Sequence, residues 1–197
     1  MKKLFNIATL VLISSVAFAN NPTGEKYTII NESSSIEWNA EKVTGKHFGK
    51  ISIMNGELTY EDNIITGGSV DIDMHTITVE DIEDPEYNEK LKGHLKSADF
   101  FDVENHHTAN FQITEVIKEE GNNHLIKGIM TIKGIANMIE FPATIINQGD
   151  KIVAVGEVKI DRTQYDIKYR SGRFFDSLGD KMIYDEFTVK MKIGASK

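Results

Sequence analysis

Apolar and polar residues alternate with a period of two over most of the chain beyond Asn20. Ile36, Trp38 and Ala40 share one parity, and the polar residues between them take the other. The same alternation recurs in residues 70–75, 109–113, 139–145, 152–160 and 183–193. A period of two predicts β-strands with one buried face and one solvent-exposed face.

Turn signals divide this pattern into strands. Asn55-Gly56, residues 120–123 and residues 148–150 are rich in Gly, Asn and Asp, which tolerate positive φ and favour hairpin turns. Gly67-Gly68 falls inside a strand pattern and predicts a bulge or sharp bend. The predicted strands are residues 33–43, 50–60, 64–77, 108–118, 124–133, 138–147, 151–161 and 182–193, with a short edge piece at 27–31.

The predicted strands run about ten residues, which is longer than the usual five or six. Eight long antiparallel strands favour closure into a barrel, because closure removes the exposed sheet edges. The predicted fold class is therefore all-β, an extended eight-stranded antiparallel barrel with a short helix between strands. A two-sheet sandwich is the competing architecture.

Two segments depart from the strand pattern. Asp84 can cap a helix that begins at Pro85, and Leu91 and Leu95 form an apolar pair one turn apart. This helix falls between the third and fourth predicted strands, where it can plug one end of a barrel. Residues 165–180 are too many for a hairpin turn, and loops of that length commonly cover binding sites.

The first 19 residues have the layout of a secretory signal. Lys2 and Lys3 precede an apolar stretch, which closes on Ala17-Phe18-Ala19. We expect residues 1–19 to be cleaved and residues 20–197 to form a single domain that is periplasmic or secreted. No later apolar run approaches the roughly 20 residues that a membrane-spanning helix needs, so the mature protein is not expected to span a membrane.

Composition removes several functional classes. The net charge is −8 and there is no basic cluster, so nucleic-acid binding is not expected. The chain has no cysteine, which excludes disulfides, thiolate metal sites and a cysteine nucleophile. No G-x-S-x-G motif, phosphate-binding loop or dinucleotide fingerprint occurs.

Histidines are the remaining candidates for metal chemistry. None of the six stands in an H-x-x-x-H or H-E-x-x-H pattern, and the adjacent His106 and His107 would point to opposite sides of an extended chain. We therefore predict no catalytic residues and no metal, and keep a metal-assisted enzyme as an alternative. The histidines are His47, His75, His94, His106, His107 and His124.

The inward face is apolar apart from two charged residues. An eight-stranded barrel can be filled by side chains or can hold one small ligand, so the pattern alone leaves a solid core and an apolar cavity equally open. Arg162 and Asp185 fall on the inward parity. Because an unpaired buried charge is costly, we expect them to pair near one barrel end, either to lock the fold or to contact a ligand head group.

Several segments, in order along the chain, resemble the YceI-like family of exported polyisoprenoid-binding proteins. They are Ile36–Ala40 with Lys42–Gly49, Gly67–Met74, Leu91–Asp102, Gly128–Gly134 and Ile160–Thr163. The resemblance implies a lipocalin-like barrel whose lumen holds a polyisoprenoid, an isoprenoid quinone or a fatty-acid derivative.

The resemblance favours the interpretation that the lumen holds a lipid. It implies a bound isoprenoid-type lipid and no further cofactor. A solid-core structural or interaction protein stays open as an alternative, and so does a homodimer. The predicted wall residues are Trp38, Met74, Phe111, Met130, Phe141, Ile160, Phe187 and Met191, with Phe100 and Phe101 from the helical plug and Arg162 as the polar candidate.

Overall fold

The structure, a computed structural model, describes residues 24–197. The predicted signal segment Met1–Ala19 lies outside the described residues. The described chain contains nine strands and one α-helix, α1 (Pro85–Lys96). The strands are β1 (Glu25–Ile29), β2 (Ser35–Lys42), β3 (Gly45–Glu61), β4 (Ile64–Asp73), β5 (Thr108–Lys118), β6 (Asn123–Ile132), β7 (Ile135–Asn147), β8 (Lys151–Asp161) and β9 (Ile183–Ser196).

Strands β2 to β9 form a closed, eight-stranded antiparallel barrel, as predicted. Each strand pairs with its sequence neighbour, and β9 pairs back onto β2 to complete the ring. The short β1 pairs with β3 and β9 beyond the point where β2 begins, so β1 and β2 together fill one position in the wall. The predicted edge piece at 27–31 is therefore inserted between two strands.

The two barrel ends differ. At one end, which we call the helix end, lie α1, the loop between α1 and β5, and the connection from β8 to β9. The opposite end carries the shorter connections β3–β4, β5–β6 and β7–β8. The predicted turns at residues 120–123 and 148–150 lie there, as expected from their glycine and asparagine content.

The prediction of a turn at Asn55-Gly56 was wrong. Both residues lie inside the 17-residue β3, next to a register shift opposite β4. A Cβ on Gly56 would lie 2.5 Å from Ile29 Cδ1 and 2.6 Å from the Ser69 carbonyl oxygen. This glycine permits close packing between neighbouring strands, and the turn into β4 is made instead by residues 62–63, both of which have positive φ.

The irregularity predicted at Gly67-Gly68 is present. The register between β3 and β4 shifts by one residue there, and Gly68 has a φ of +150°. A Cβ on Gly68 would lie 2.5 Å from the carbonyl oxygen of Glu57 on the neighbouring strand. Bulges of this kind commonly increase the local bend and twist of a strand.

Helix α1 begins where the sequence predicts. The carboxylate of Asp84 accepts hydrogen bonds from the backbone N–H groups of Glu86 and Tyr87 at 2.9 and 3.1 Å, and Pro85 takes the first helical position. Such a cap satisfies N–H groups that lack partners within the helix. Leu95 is buried and Leu91 half-buried, so the apolar side of the helix faces the barrel.

Candidate ligand-binding lumen

The barrel encloses a cavity of about 190 Å³. One water molecule needs only about 10–15 Å³ of such space, so the inner faces of the strands do not meet in a solid core. All eight barrel strands contribute lining side chains, and nearly all of these are apolar. The choice that the alternation pattern left open is thereby resolved in favour of a hollow barrel.

The cavity follows the long axis of the barrel. On β8 alone, its lining runs from Ala154 to Ile160, which is about 20 Å of strand at roughly 3.3 Å per residue. It reaches Ile65 and Ile145 toward the end opposite the helix, and Ile183 at the helix end. The shape suits an elongated occupant better than a compact one.

All of the residues predicted to face the lumen do line the cavity. Their contact with a ligand stays a prediction. They are Trp38, Met74, Phe100, Phe101, Phe111, Met130, Phe141, Ile160, Arg162, Phe187 and Met191.

Small residues in the lining were missing from the predicted set. Ala109, Ala143, Ala154 and Gly156 lie on the same inward parity and line the cavity. Their parity in the alternation pattern is the sequence signal that identifies them as inward-facing. The three alanines occupy little of the lumen, whereas a Cβ on Gly156 would lie only 3.3 Å from the Phe141 ring.

Trp38 is held in place by its indole nitrogen. Its Nε1–H donates a hydrogen bond of 3.1 Å to the carbonyl of Thr78, in the segment that follows β4 along the start of β3. Gly49 makes this approach possible, because a Cβ there would lie only 2.0 Å from the Thr78 oxygen. The polar edge of the ring is satisfied while its apolar surface lines the cavity.

Aromatic side chains cover the lumen at the helix end. The ring of His94 packs edge-on against Phe100 and Tyr169, with centroid distances of 4.9 and 4.6 Å. Phe100, Phe101 and Leu95 line the cavity from this side. The long β8–β9 connection therefore meets the α1 region over the barrel mouth, consistent with the predicted plug and mouth cover.

Arg162 and Asp185 lie together at the helix end, as predicted. Arg162 is 4% exposed, and its guanidinium donates to the carbonyls of Ile167, Ile183 and Tyr184 at 2.8–3.0 Å and to Asp185 at 3.4 Å. These bonds use four of the five N–H donors of the side chain. The geometry favours a fold-locking role over a head-group contact.

A second arginine extends this ionic network. Arg173 Nη1 lies 3.0 Å from Asp161 Oδ2 and 2.8 Å from the Thr163 hydroxyl, and Arg173 Nε lies 3.7 Å from Asp185. Burial works to raise the pKa of Asp161, but hydrogen bonds from Thr163 and the charge of Arg173 outweigh it and lower the pKa below its ordinary value. Burial lowers the pKa of Arg162, and Asp185 partly offsets that effect.

The histidines have separate partners. His47 lies 2.7 Å from Asp81, His94 lies 3.1 Å from Asp99, and the rings of His75 and His107 approach to 3.1 Å. Within residues 24–197, no three His, Asp or Glu side chains converge in a way that could hold a metal ion. No helix in this described part of the chain is long and apolar enough to cross a bilayer.

Comparison with known proteins places the chain in a family. The YceI-like domain matches residues 27–195, and the chain belongs to the YceI-like family. A UPF0312 protein of Vibrio cholerae is 29% identical over 151 residues, which cover 76% of this chain and 77% of the relative.

Solved structures support the same fold. Burkholderia cenocepacia BcnA matches with a TM-score of 0.67 at 20% identity, over 85% of this chain and 99% of that one. A polyisoprenoid-binding domain from Saccharophagus degradans, implicated in plant cell wall breakdown, matches with a TM-score of 0.64 at 10% identity, over 86% and 97% of the two chains. At these identities the likeness establishes the fold.

Proposed function

We propose that this protein binds a long-chain apolar lipid in the barrel lumen and catalyses no reaction. The candidate ligands are a polyisoprenoid, an isoprenoid quinone and a fatty-acid derivative. The observation that carries the proposal is the elongated cavity lined almost wholly by apolar side chains. The polyisoprenoid-binding description of the Saccharophagus degradans domain supports the same class of ligand.

Hydrophobic burial supplies the binding free energy in this proposal. Each Å² of ligand surface removed from water contributes about 25 cal/mol, before the cost of immobilising the ligand. Arg162 adds little to head-group recognition, because its donors are directed at backbone carbonyls and Asp185. Ligand specificity therefore depends on the length and width of the apolar chain more than on its polar end.

Export is part of the proposal and rests on the sequence of Met1–Ala19. Expression of the full chain in a bacterial host should yield a mature form in the periplasm or the medium. Intact-mass measurement should show that this form begins at Asn20. Retention of the complete segment on a cytoplasmic protein would contradict export without affecting the binding proposal.

The decisive experiment is mass spectrometry of an organic extract of the purified native protein. We expect a stoichiometric long-chain lipid. Met130→Asp should abolish its retention by placing a carboxylate in the cavity wall, whereas Ile129→Asp, on the outer face of the same strand, should retain it. Circular dichroism must show that both variants fold. Folded protein that carries no lipid, and takes up none when offered, would overturn the proposal.

A further inference from the structure

The barrel wall has a seam between β7 and β8. These strands pair from Asn147↔Ile152 as far as Ala143↔Gly156, and the register ends there. By contrast, β6 and β7 stay paired to Ile132↔Ile135, and β8 and β9 stay paired to Asp161↔Glu186. Residues 135–142 of β7 and 157–161 of β8 therefore form two facing edges without a shared ladder.

Pro142 explains why the ladder stops at this point. Its carbonyl oxygen would lie 3.2 Å from a Cβ on Gly156, so the oxygen faces β8. The nitrogen and carbonyl of a strand residue point toward the same neighbour, so the Pro142 nitrogen faces β8 as well. Proline has no N–H to donate, and the next rung of the ladder loses its donor.

The seam leads to the lumen. Ile139 and Phe141 from β7 and Val158 and Ile160 from β8 all line the cavity. Val155 borders the cavity where the pairing ends and is also 50% exposed on the outer surface. One residue beside the end of the β7–β8 ladder therefore borders both the cavity and solvent, as the 45% exposed Tyr184 does at the helix end.

A short latch crosses the seam at the helix end. The 3-10 helix Arg162–Tyr165 follows β8 directly, and Asn137 Nδ2 on β7 donates a hydrogen bond of 3.0 Å to the carbonyl of Gln164. The barrel is thus joined across the seam by the paired part of β7 and β8 at one end, and at the other by the Asn137–Gln164 bond and a longer bond of 3.5 Å from Lys133 Nζ to the Asp166 carbonyl.

We propose that the seam between β7 and β8 is a lateral opening through which the apolar chain of a lipid enters and leaves the lumen. This rests on the proposed function and adds the route. Opening the seam breaks no ladder hydrogen bonds, whereas passage through the helix end must displace the packed rings of His94, Phe100 and Tyr169. A chain longer than the lumen can also protrude here.

Staples across the wall test the route, because the chain has no cysteine of its own. Glu140→Cys with Lys159→Cys places two thiols on the outer face of the seam, at positions that would oppose each other if the β7–β8 register continued. A reducible bismaleimide then bridges them.

The matched control is Ile146→Cys with Val153→Cys, which are directly paired on the same two strands. Ala98→Cys with Lys133→Cys tethers the helix-end cover, where Lys133 Nζ donates to the Ala98 carbonyl.

The probe is retinol, a fluorescent isoprenoid alcohol. The seam staple should slow both its uptake and its release by about tenfold or more, because a closed gate limits passage in both directions. The affinity should stay constant, since both rates fall by the same factor, and reduction of the bridge should restore them. The control staple should leave the rates unchanged. The helix-end staple should do the same when compared with its own unbridged double-cysteine variant, because Lys133→Cys by itself removes the bond to the Asp166 carbonyl.

Asn137→Ala should act in the opposite direction and speed exchange by removing the latch. Asn110→Ala, which removes a hydrogen bond to Asp71 in the paired wall, is its control. Two results would overturn the lateral route while the proposed function stands. In both, retinol binds; in the first only the helix-end staple slows exchange, and in the second the seam staple leaves the rates unchanged. If retinol and other long-chain lipids fail to bind the unstapled protein, the proposed function fails first.

Discussion

Arg162 Nη1 donates a hydrogen bond of 2.8 Å to the carbonyl of Ile167, so a side chain at the end of β8 fastens the start of the loop that follows it. Ile167 is buried and lines the cavity. The same guanidinium reaches the carbonyls of Ile183 and Tyr184, where β9 begins. One buried cation thus holds both ends of the connection that helps cover the lumen.

Replacing Arg162 should destabilise the fold. Arg162→Met leaves three carbonyls without their donor and Asp185 with only the more distant Arg173, and should cost about 3 kcal/mol or more in the free energy of unfolding. Arg162→Lys keeps the charge, but a compact ammonium cannot reach acceptors spread around a planar fork, so it should still cost about 1–3 kcal/mol. Urea unfolding measures both.

The lipid preference of these variants separates the two roles considered for Arg162. A fold-locking arginine predicts that folded Arg162→Lys keeps the wild-type ratio of affinities for a fatty acid and the alcohol of equal chain length. A head-group contact predicts that the fatty acid loses affinity selectively. Arg173→Lys, at a side chain that is 56% exposed, is the control and should cost little stability.

Filling the lumen should remove the ligand without unfolding the barrel. Ala143 lines the cavity, and Ala143→Phe projects a ring into existing space, so stability should stay within about 1–2 kcal/mol of wild type. The lipid recovered in organic extracts should fall severalfold. Thr144→Phe, on the next residue and the outer face, should leave the lipid content unchanged. Undiminished lipid in folded Ala143→Phe would place the ligand elsewhere.

Trp38 gives a direct optical signal from the lumen. It is the only tryptophan in the chain, it is buried, and it lines the cavity. Retinol in the lumen should quench Trp38 emission in step with the rise of its own fluorescence. Trp38→Phe should lose the first signal and keep the second. Saturation of the retinol signal with no change at Trp38 would show that the probe binds outside the barrel.

Much of the barrel could be predicted from the sequence, because alternation reports which face of a strand is dry. The parity of Trp38, Phe111 and Phe187 placed these residues correctly on the cavity wall. Alternation cannot report whether dry faces from opposite walls touch, since that depends on barrel diameter and on small residues such as Ala143. The cavity therefore had to be inferred from a resemblance until the fold was known.

Local signals were ambiguous where long-range contacts decide the outcome. The glycine in Asn55-Gly56 suggested a turn, yet it serves a close approach between strands. Pro142 falls inside the predicted strand 138–147, and its effect on the sheet depends on which neighbouring strand its nitrogen faces. Only the register of β7 against β8 reveals that the missing donor opens a seam.

Acid should weaken the fold through Asp161. The pKa of this carboxyl is depressed in the folded state, so its charged form stabilises the fold. That contribution is complete above the unfolded pKa of about 3.9 and is lost as the pH falls through the lower folded value. Asp161→Asn should lower stability at neutral pH by about 1 kcal/mol and flatten the loss of stability below about pH 5.

Urea unfolding across this range measures the slope. Asp81, whose pKa is also lowered, should keep part of the acid sensitivity in Asp161→Asn, because hydrogen bonds from Phe48 N–H and His47 outweigh the effect of its burial. Asp176→Asn, at an exposed carboxylate of the same loop, is the control and should follow the wild-type curve. An Asp161→Asn protein with the full wild-type slope would show that the Asp161 carboxylate, with its bonds from Thr163 and Arg173, does not cause the acid sensitivity of the fold.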